Sequence, residues 1–454
     1  MLSTRLLTPL AFAVFVSGCA LQPPKAPAPV QLPAQYLAAQ QQAEQTKPDL
    51  HAWWERYQDA ELTRITRLSA DNNQDIAVSL AQYEKAMAVL GQTQSAEAPS
   101  LSASGTGSKS SANTGGERTH SSTHQLAGLA SFELDMWGRL SNATKADEKS
   151  AESAFQNTLY TQNLIRNQVV TQFWTIRQLD AELSVLDEQI DSRQKELKIS
   201  QSRLTYGVTS ELDVEQSKAD LASLERTRIT TRTNRDVYVQ SLAILVGKPD
   251  LTIASSTNIP DTIASPALGL PSSLLQQRPD LIVAEKNLDA AGFDVAVARA
   301  ALFPSISLTA QGGGRSGAFS SLIGSGSSFW TLGYTLDLPI FDGGLRLSQI
   351  DQAKASQREQ AAQYQKAVIT AFSDVNKALI NLDGYQKQSP WMKDELAAAQ
   401  KAMDFAQRKY QVGTIDYSTV LDTQRSLLDA KKADVDLRYG KLISQANLFY
   451  ALGN

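Results

Sequence analysis

Arg203-Leu-Thr-Tyr-Gly207-Val-Thr-Ser210-Glu-Leu-Asp-Val214 and Lys409-Tyr-Gln-Val-Gly413-Thr-Ile-Asp416-Tyr-Ser-Thr-Val420-Leu-Asp-Thr-Gln-Arg425 are versions of one another. In each, helical sequence runs into a lone Gly, a Ser or Asp follows three residues later, and helical sequence resumes. The glycine suits the left-handed stop of one helix, and Ser210 or Asp416 suits the N-cap of the next. Each stretch therefore reads as the turn of an αα-hairpin. The two glycines lie 206 residues apart.

That spacing extends beyond the hairpins. Asp75 to Ser104 aligns without gaps on Asp280 to Thr309 at an offset of 205, with seven identities over 30 positions. Composition alone would give about two. Phe132-Glu-Leu-Asp-Met-Trp137 likewise matches Leu336-Asp-Leu-Pro-Ile-Phe341 at an offset of 204. Three matches in one order at nearly one offset indicate an internal duplication with a unit of about 200 residues.

Residues 1–18 read as an export signal: Arg5, an apolar run from Leu6 to Val16, then Val16-Ser-Gly-Cys19. The last four residues resemble a bacterial lipobox, which makes Cys19 the acylated first residue of the mature chain. The alternative is an ordinary signal peptide with an incidental cysteine. Cys19 is the only cysteine, so no disulfide can form within the chain. Ala20, rather than Asp, follows it, which by the same resemblance argues against retention at the inner membrane. Residues 19–33, with five prolines, form an extended tether. Net charge is −4 with no basic block, so a nucleic-acid partner is not expected.

After a helix from about Gln74 to Glu97, the periodicity changes from helical to two. Strands are expected at about 100–110 and 125–137, and in the second repeat at about 304–313 and 329–341. Leu126, Gly128, Ala130, Phe132 and Leu134 alternate with more polar neighbours, as do Trp330, Leu332, Tyr334 and Leu336. Runs of 10–12 residues are long enough to cross a bilayer when tilted. Trp137, Phe303, Phe329, Trp330 and Phe341 stand at their ends, as an interfacial girdle requires. Alternation alone also fits a half-buried soluble sheet, and the export signal is what favours the membrane. Four strands cannot close a barrel and an open edge is not tolerated in lipid, so transmembrane strands require an oligomer.

The hairpins are expected over about 140–247 and 344–450. Ile165, Val169, Phe173, Ile176, Leu183, Leu186, Ile190, Leu197 and Leu204 recur at threes, fours and sevens as a coiled-coil seam. About 65 residues at 1.5 Å each make a rod of ~100 Å. Gly384 and Pro390 fall inside the second rod, where a kink or short break is expected. The first repeat thus covers 34–247, a linker 248–278, and the second repeat 279–454. Residues 34–70, with Trp53 and Trp54 plugging a small peripheral subdomain, form an equatorial collar with the linker.

No catalytic constellation, cofactor motif or metal site is expected. His120 and His124 read as a pair in a solvated Ser/Thr-rich loop, and Gly312-Gly-Gly314 as part of a flexible external loop. The residues best placed to act are Tyr410, Asp416, Asp422 and Arg425. Asp422 and Arg425 share a helix face at i, i+3, and in a symmetric oligomer they would form rings that favour cations. Ordinary solvated helix charge is the alternative.

Together the lipobox, the tether, Trp53-Trp54, the duplicated strand pairs, Gly207-x-x-Ser210-x-Leu-Asp-Val214, Tyr410-x-x-Gly413 and Leu421-Asp-Thr-Gln-Arg425 resemble the TolC-like outer-membrane efflux factors. The lipoprotein branch serving resistance-nodulation-division pumps is the nearest likeness. This resemblance implies an α plus transmembrane β-barrel fold with four strands per chain. Three copies would close a 12-stranded barrel, continued by a long α-helical periplasmic barrel. It implies a homotrimer, lipid-anchored in the outer membrane of a Gram-negative bacterium, with a periplasmic adaptor docking at the hairpin turns (Gly207, Ser210, Gly413, Asp416) and an inner-membrane transporter supplying energy. It also implies that Tyr410, Asp422 and Arg425 hold the resting tunnel shut. Ser418 stands where relatives often have a bulky apolar constriction, which leaves more of the closure to Asp422. The expected function is a passive exit duct for small molecules such as drugs. The alternatives are the duct of a type I protein secretion system and a non-conducting structural or adhesive lipoprotein. Trimer rather than dimer is inherited from the resemblance, since eight strands would also close a barrel.

Overall fold

The computed structural model describes residues 21–24, 33, 52–115, 117–260 and 277–453. Cys19, most of the proline-rich tether and residues 261–276 of the linker lie outside the described residues. A 3-10 turn, Trp53–Tyr57, precedes α1 (Ala60–Asn72) and α2 (Gln74–Ser95). Next come β1 (Ser100–Thr114), β2 (Glu117–Leu134), α3 (Arg139–Thr205) and α4 (Glu211–Val246). The same order then returns as α5 (Pro279–Ala300), β3 (Ser305–Ser316), β4 (Ser328–Asp337), α6 (Leu345–Gln411) and α7 (Tyr417–Ala451). α2 and α5 start 205 residues apart, and α3 and α6, like α4 and α7, start 206 apart. The duplication is therefore one of structure as well as of sequence.

Contacts divide the chain into two compact units. One comprises residues up to Val30, Ala81–Gln156 and Leu281–Ala367, and holds the strands. The other comprises Gln31–Leu80, Asn157–Asp280 and Val368–Asn454, and holds α4, α7 and the larger part of α3 and α6 with both hairpin turns.

In the first unit the strands form one antiparallel sheet in the order β1-β2-β3-β4. Residues directly opposite one another share a face, and so do residues two apart along a strand. The pairs Leu101↔Ala130, Ala130↔Ala310 and Ala310↔Leu332 therefore carry one face across all four strands. That face holds Leu126, Phe132, Ile306, Leu308, Trp330, Tyr334 and Leu336. The other holds Ser102, Ser104, Thr106, Gln125, Ser131, Ser307, Thr309, Gln311, Thr331 and Thr335. Trp330, Leu332, Tyr334 and Leu336 are all exposed within one protomer. β1 and β4 each leave an edge unpaired, which lipid does not tolerate.

The second unit is built on an aromatic core. Trp53 is fully buried and stacks on Phe449 with ring centroids 5.0 Å apart. Tyr57 packs on Trp174 at 5.1 Å and donates its hydroxyl to the Leu442 carbonyl at 3.0 Å. Burial pushes that phenol far above its ordinary range. Leu251 and Ile253 are buried in the same cluster. The segment they belong to is fixed by Asp180, which accepts from Arg235 at 2.6 Å, from Arg177 at 3.3 Å and from the Ser256 N–H at 3.2 Å. Both arginines also donate back to that segment, Arg177 to the Ala254 carbonyl at 2.6 Å and Arg235 to the Ile253 carbonyl at 2.8 Å.

Five expectations need correction. His120 and His124 lie within β2, paired with Ser111 and Gly107, because β1 and β2 run on to a tight turn at Gly115 instead of opening into a loop. Gly312, Gly313 and Gly314 lie within β3 opposite Gly128, Ala127 and Leu126. A Cβ at Gly313 would meet the Leu126 carbonyl oxygen at 2.0 Å, so glycine is required by close strand approach and not by loop freedom. α6 continues through Gly384 and Pro390 without the short break that was one of the two expected outcomes, and Pro390 leaves the Gln386 carbonyl without its backbone donor. Phe329 shares the polar face, with the Arg315 guanidinium 5.0 Å from its ring, and so is not part of an outward girdle. Trp53 belongs to the main core of the helical unit, not to a peripheral subdomain.

Candidate functional site

Both hairpin turns close by the same backbone device. Gly207 has φ +70° and Gly413 φ +73°. Around the first, the Val208 N–H reaches the Arg203 carbonyl at 2.9 Å and the Gly207 N–H the Leu204 carbonyl at 3.0 Å. Around the second, Thr414 N–H to Lys409 and Gly413 N–H to Tyr410 are both 3.0 Å. This is the Schellman pattern, and only glycine adopts its left-handed residue without strain. The return helices start differently. Ser210 caps α4, accepting from the Asp213 N–H at 3.3 Å. Asp416 occupies the N-cap position of α7 but its side chain makes no cap bond, contrary to the sequence reading. Tyr206, Val208, Leu212 and Val412 leave the tips with exposed apolar side chains.

Asp422 and Arg425 come together as their spacing requires, Nη1 to Oδ1 at 3.8 Å, with side chains 77% and 63% exposed. Arg425 also reaches across to α4, its Nε lying 3.9 Å from Asp220. Ser418 is exposed one turn before Asp422. Tyr410 stands apart from this pair. Its ring lies 5.3 Å from Tyr417 and under the Arg203 guanidinium at 5.0 Å, while its buried hydroxyl has no hydrogen-bond partner among the described residues. Arg203 also donates to the Gln411 carbonyl at 3.3 Å. Burial raises the Tyr417 phenol above its ordinary value.

The residues that sequence reasoning missed lie on the first hairpin. Arg193, its side chain 4% exposed, donates to Asp220 at 2.7 Å and to Glu196 at 2.9 Å. The amide of the buried Gln424 on α7 reaches both Glu196 oxygens at 2.8 Å. A buried ladder thus runs from α4 through α3 to α7, the helix that carries Asp422 and Arg425. One signal could have found it: Arg193 and Ser200 fall between Ile190, Leu197 and Leu204, where an unbroken seam would be apolar.

Duplicated strand pairs with an apolar and a polar face, unpaired sheet edges and paired helical hairpins define the class of outer-membrane ducts. Residues 66–248 and 270–454 match the family described as outer membrane efflux protein, and the chain belongs to it. It is 29% identical over 471 residues to the toluene efflux pump outer membrane protein TtgC of Pseudomonas putida, covering 99% of this chain and 96% of the relative. It is 28% identical over 454 residues to the cation efflux system protein CusC of Escherichia coli, covering 98% of each. The crystal structure of the Campylobacter jejuni outer membrane channel CmeC shares the fold, with a TM-score of 0.90 at 23% identity, over 96% of this chain and 95% of that one. Members of the family are channels rather than enzymes. They form trimers in the outer membrane and work with an adaptor and an inner-membrane transporter as tripartite efflux pumps.

Proposed function

We propose that this chain is the exit duct of a pump for small molecules, acylated at Cys19, and shut at rest by the tip of its second hairpin. Three sheets close a barrel whose polar face, rich in Ser and Thr, lines the passage. Three copies of Asp422 and Arg425 ring the periplasmic entrance. The observation that carries the reading is the placement of this pair: both side chains face water, yet Arg425 is tethered to the buried ladder through Asp220. A gate needs such contacts, fixed in position but inexpensive to exchange. The adaptor docks on the exposed apolar tips around Gly207, Ser210, Gly413 and Asp416, and its binding opens the entrance like an iris. Relatives named for toluene and for cations align over nearly the whole chain, so cargo chemistry is set by the pump and not by the duct.

Single-channel conductance in a planar bilayer tests the gate, comparing wild type with Asp422→Ala combined with Arg425→Ala. An exposed ion pair contributes about 0.5 kcal/mol. Three copies give about 1.5 kcal/mol, so open probability should rise roughly tenfold. Full conductance of the wild type removes the gate and keeps the duct. Silence of both, in a folded inserted trimer, favours a structural lipoprotein. Loss of a secreted protein on deletion, without drug sensitivity, favours type I secretion.

A further inference from the structure

We propose that the outward face of the β1–β2 hairpin binds the phosphorylated glycolipid of the outer leaflet. The proposal rests on outer-membrane placement alone and is independent of the gate. Along this hairpin the register pairs Gly107 with His124, Lys109 with Ser122, Ser111 with His120 and Asn113 with Arg118. All of these positions share the face of Leu101, Leu126 and Phe132. His124, Lys109, His120 and Arg118 therefore stand in succession above the apolar band, on the side turned towards lipid. No Asp or Glu occupies that face between Leu126 and Arg118. Ser108, Ser110, Ser121 and Thr123 hold the opposite face at the same height. The hairpin's two cations, Lys109 and Arg118, are thus both on the membrane side, and among the described residues neither has an ion-pair partner.

A second feature adjoins them. Ala103, Gly128, Gly312 and Gly314 leave an open groove of about 460 Å³ beside Leu126. The β3–β4 connection roofs it: the Leu322 carbonyl oxygen lies 2.2 Å from where a Cβ on Gly314 would be. Phe319 of the same connection meets His124 edge-on at 5.9 Å. Phe319 and Ile323 are themselves exposed and apolar. A groove lined by small residues admits an acyl chain, and the cations above it complement phosphate. The hairpin turn is the external end, because the opposite strand ends connect to the periplasmic helices. From Leu126 to Arg118 is about 27 Å along the strand. A phospholipid places its phosphate only at the edge of the apolar band, whereas a phosphorylated, acidic sugar headgroup extends upward past Lys109 and Arg118, with the imidazoles of His124 and His120 as further hydrogen-bonding groups on the way.

The test uses the purified trimer in detergent, titrated with lipopolysaccharide, reading the temperature at which the trimer dissociates. Lipopolysaccharide should raise that temperature by several degrees for wild type. Lys109→Ala with Arg118→Ala should lose at least half of the rise while leaving the lipid-free value unchanged, since both side chains are exposed. Ser110→Ala, on the other face, should keep the full rise. Lipopolysaccharide stripped of its phosphates should fail on wild type, a measurement that needs no variant to fold. Equal rises for wild type and the double variant would overturn the proposal. So would equal effects of intact lipopolysaccharide and either the dephosphorylated form or phosphatidylglycerol.

Discussion

Replacing Asp220 with Ala should destabilise the helical unit far more than replacing Arg425, although the two residues touch. Asp220 is the 2.7 Å partner of Arg193, and both side chains are nearly enclosed, 10% and 4% exposed. Breaking a buried pair by removing one partner costs about 3–5 kcal/mol. Glu196 remains 2.9 Å from Arg193 and keeps part of its compensation, which lowers the expectation to about 2–3 kcal/mol. Arg425 is 63% exposed and lies 3.9 Å from Asp220. Solvent screening leaves its removal at about 0.5 kcal/mol or less. Unfolding entropy of about 2.1 cal/mol/K per residue, over roughly 440 mature residues, makes ~1 kcal/mol equal to ~1 °C. Thermal melting of the detergent-solubilised trimer should therefore fall by about 2–3 °C for Asp220→Ala and by under 1 °C for Arg425→Ala. If the two variants melt together, or Asp220→Ala melts with wild type, the ladder does not hold the hairpins as argued.

Two further outcomes follow from local geometry. Ser210→Ala should cost about 1 kcal/mol and speed amide exchange in the first turn of α4 about fivefold by hydrogen-exchange mass spectrometry, whereas Asp416→Ala, which removes no cap bond, should leave exchange in α7 within about twofold. At the start of α3 burial alone would raise the Asp135 carboxyl, but it accepts from Ser141 N–H at 2.8 Å and Leu140 N–H at 3.0 Å, and the net effect holds it below the ordinary carboxylate value. A depressed folded pKa stabilises at pH above the unfolded value and is lost as pH falls through the folded one. Asp135→Asn should thus be less stable than wild type at pH 7, by about 1 kcal/mol, and the gap should close as pH falls from the ordinary carboxylate value through the depressed folded one.

The hairpins were legible because their signals are local: a glycine at the left-handed position, a polar residue three further on, and a seam at helical spacing on either side. The strands were legible only where one face meets lipid. From Gly107 to His124 both faces carry small or polar residues, so alternation disappears and the sequence reads as loop. What makes that stretch sheet is the partner strand, residue against residue up to Thr114↔Glu117, and pairing of that kind leaves no period in one strand's own sequence. Gly312 to Gly314 misled for a related reason, since glycine marks both freedom and crowding, and here the Leu126 backbone decides for crowding. At Pro390 the local rule was outweighed: the helix runs on for 21 residues to Gln411 and buries Met392 and Met403, so one missing donor does not end it.

The two repeats are equal in backbone and unequal in chemistry, and the inequality bears on which hairpin moves. The first buries charge between its own helices, where Arg193 joins Glu196 on α3 to Asp220 on α4. Separating those helices would leave ions unpaired in a nearly dry setting, so the pair moves as a body or not at all. The second is held by an apolar cluster of Met403, Ala406, Tyr417, Val420, Leu421 and Leu427, with its charges kept on the outside. Apolar contacts are non-directional and tolerate sliding, whereas hydrogen-bonded ions do not. Near the tips, Arg425 to Asp220 and Arg203 to the Gln411 carbonyl are open to water on at least one side, whereas the Gln424 amide on Glu196 is enclosed, and deeper still α3 and α7 share the aromatic core. The proposed gate would therefore take the first hairpin as its fixed wall and the second as its moving leaf, bending near the depth of Gln424.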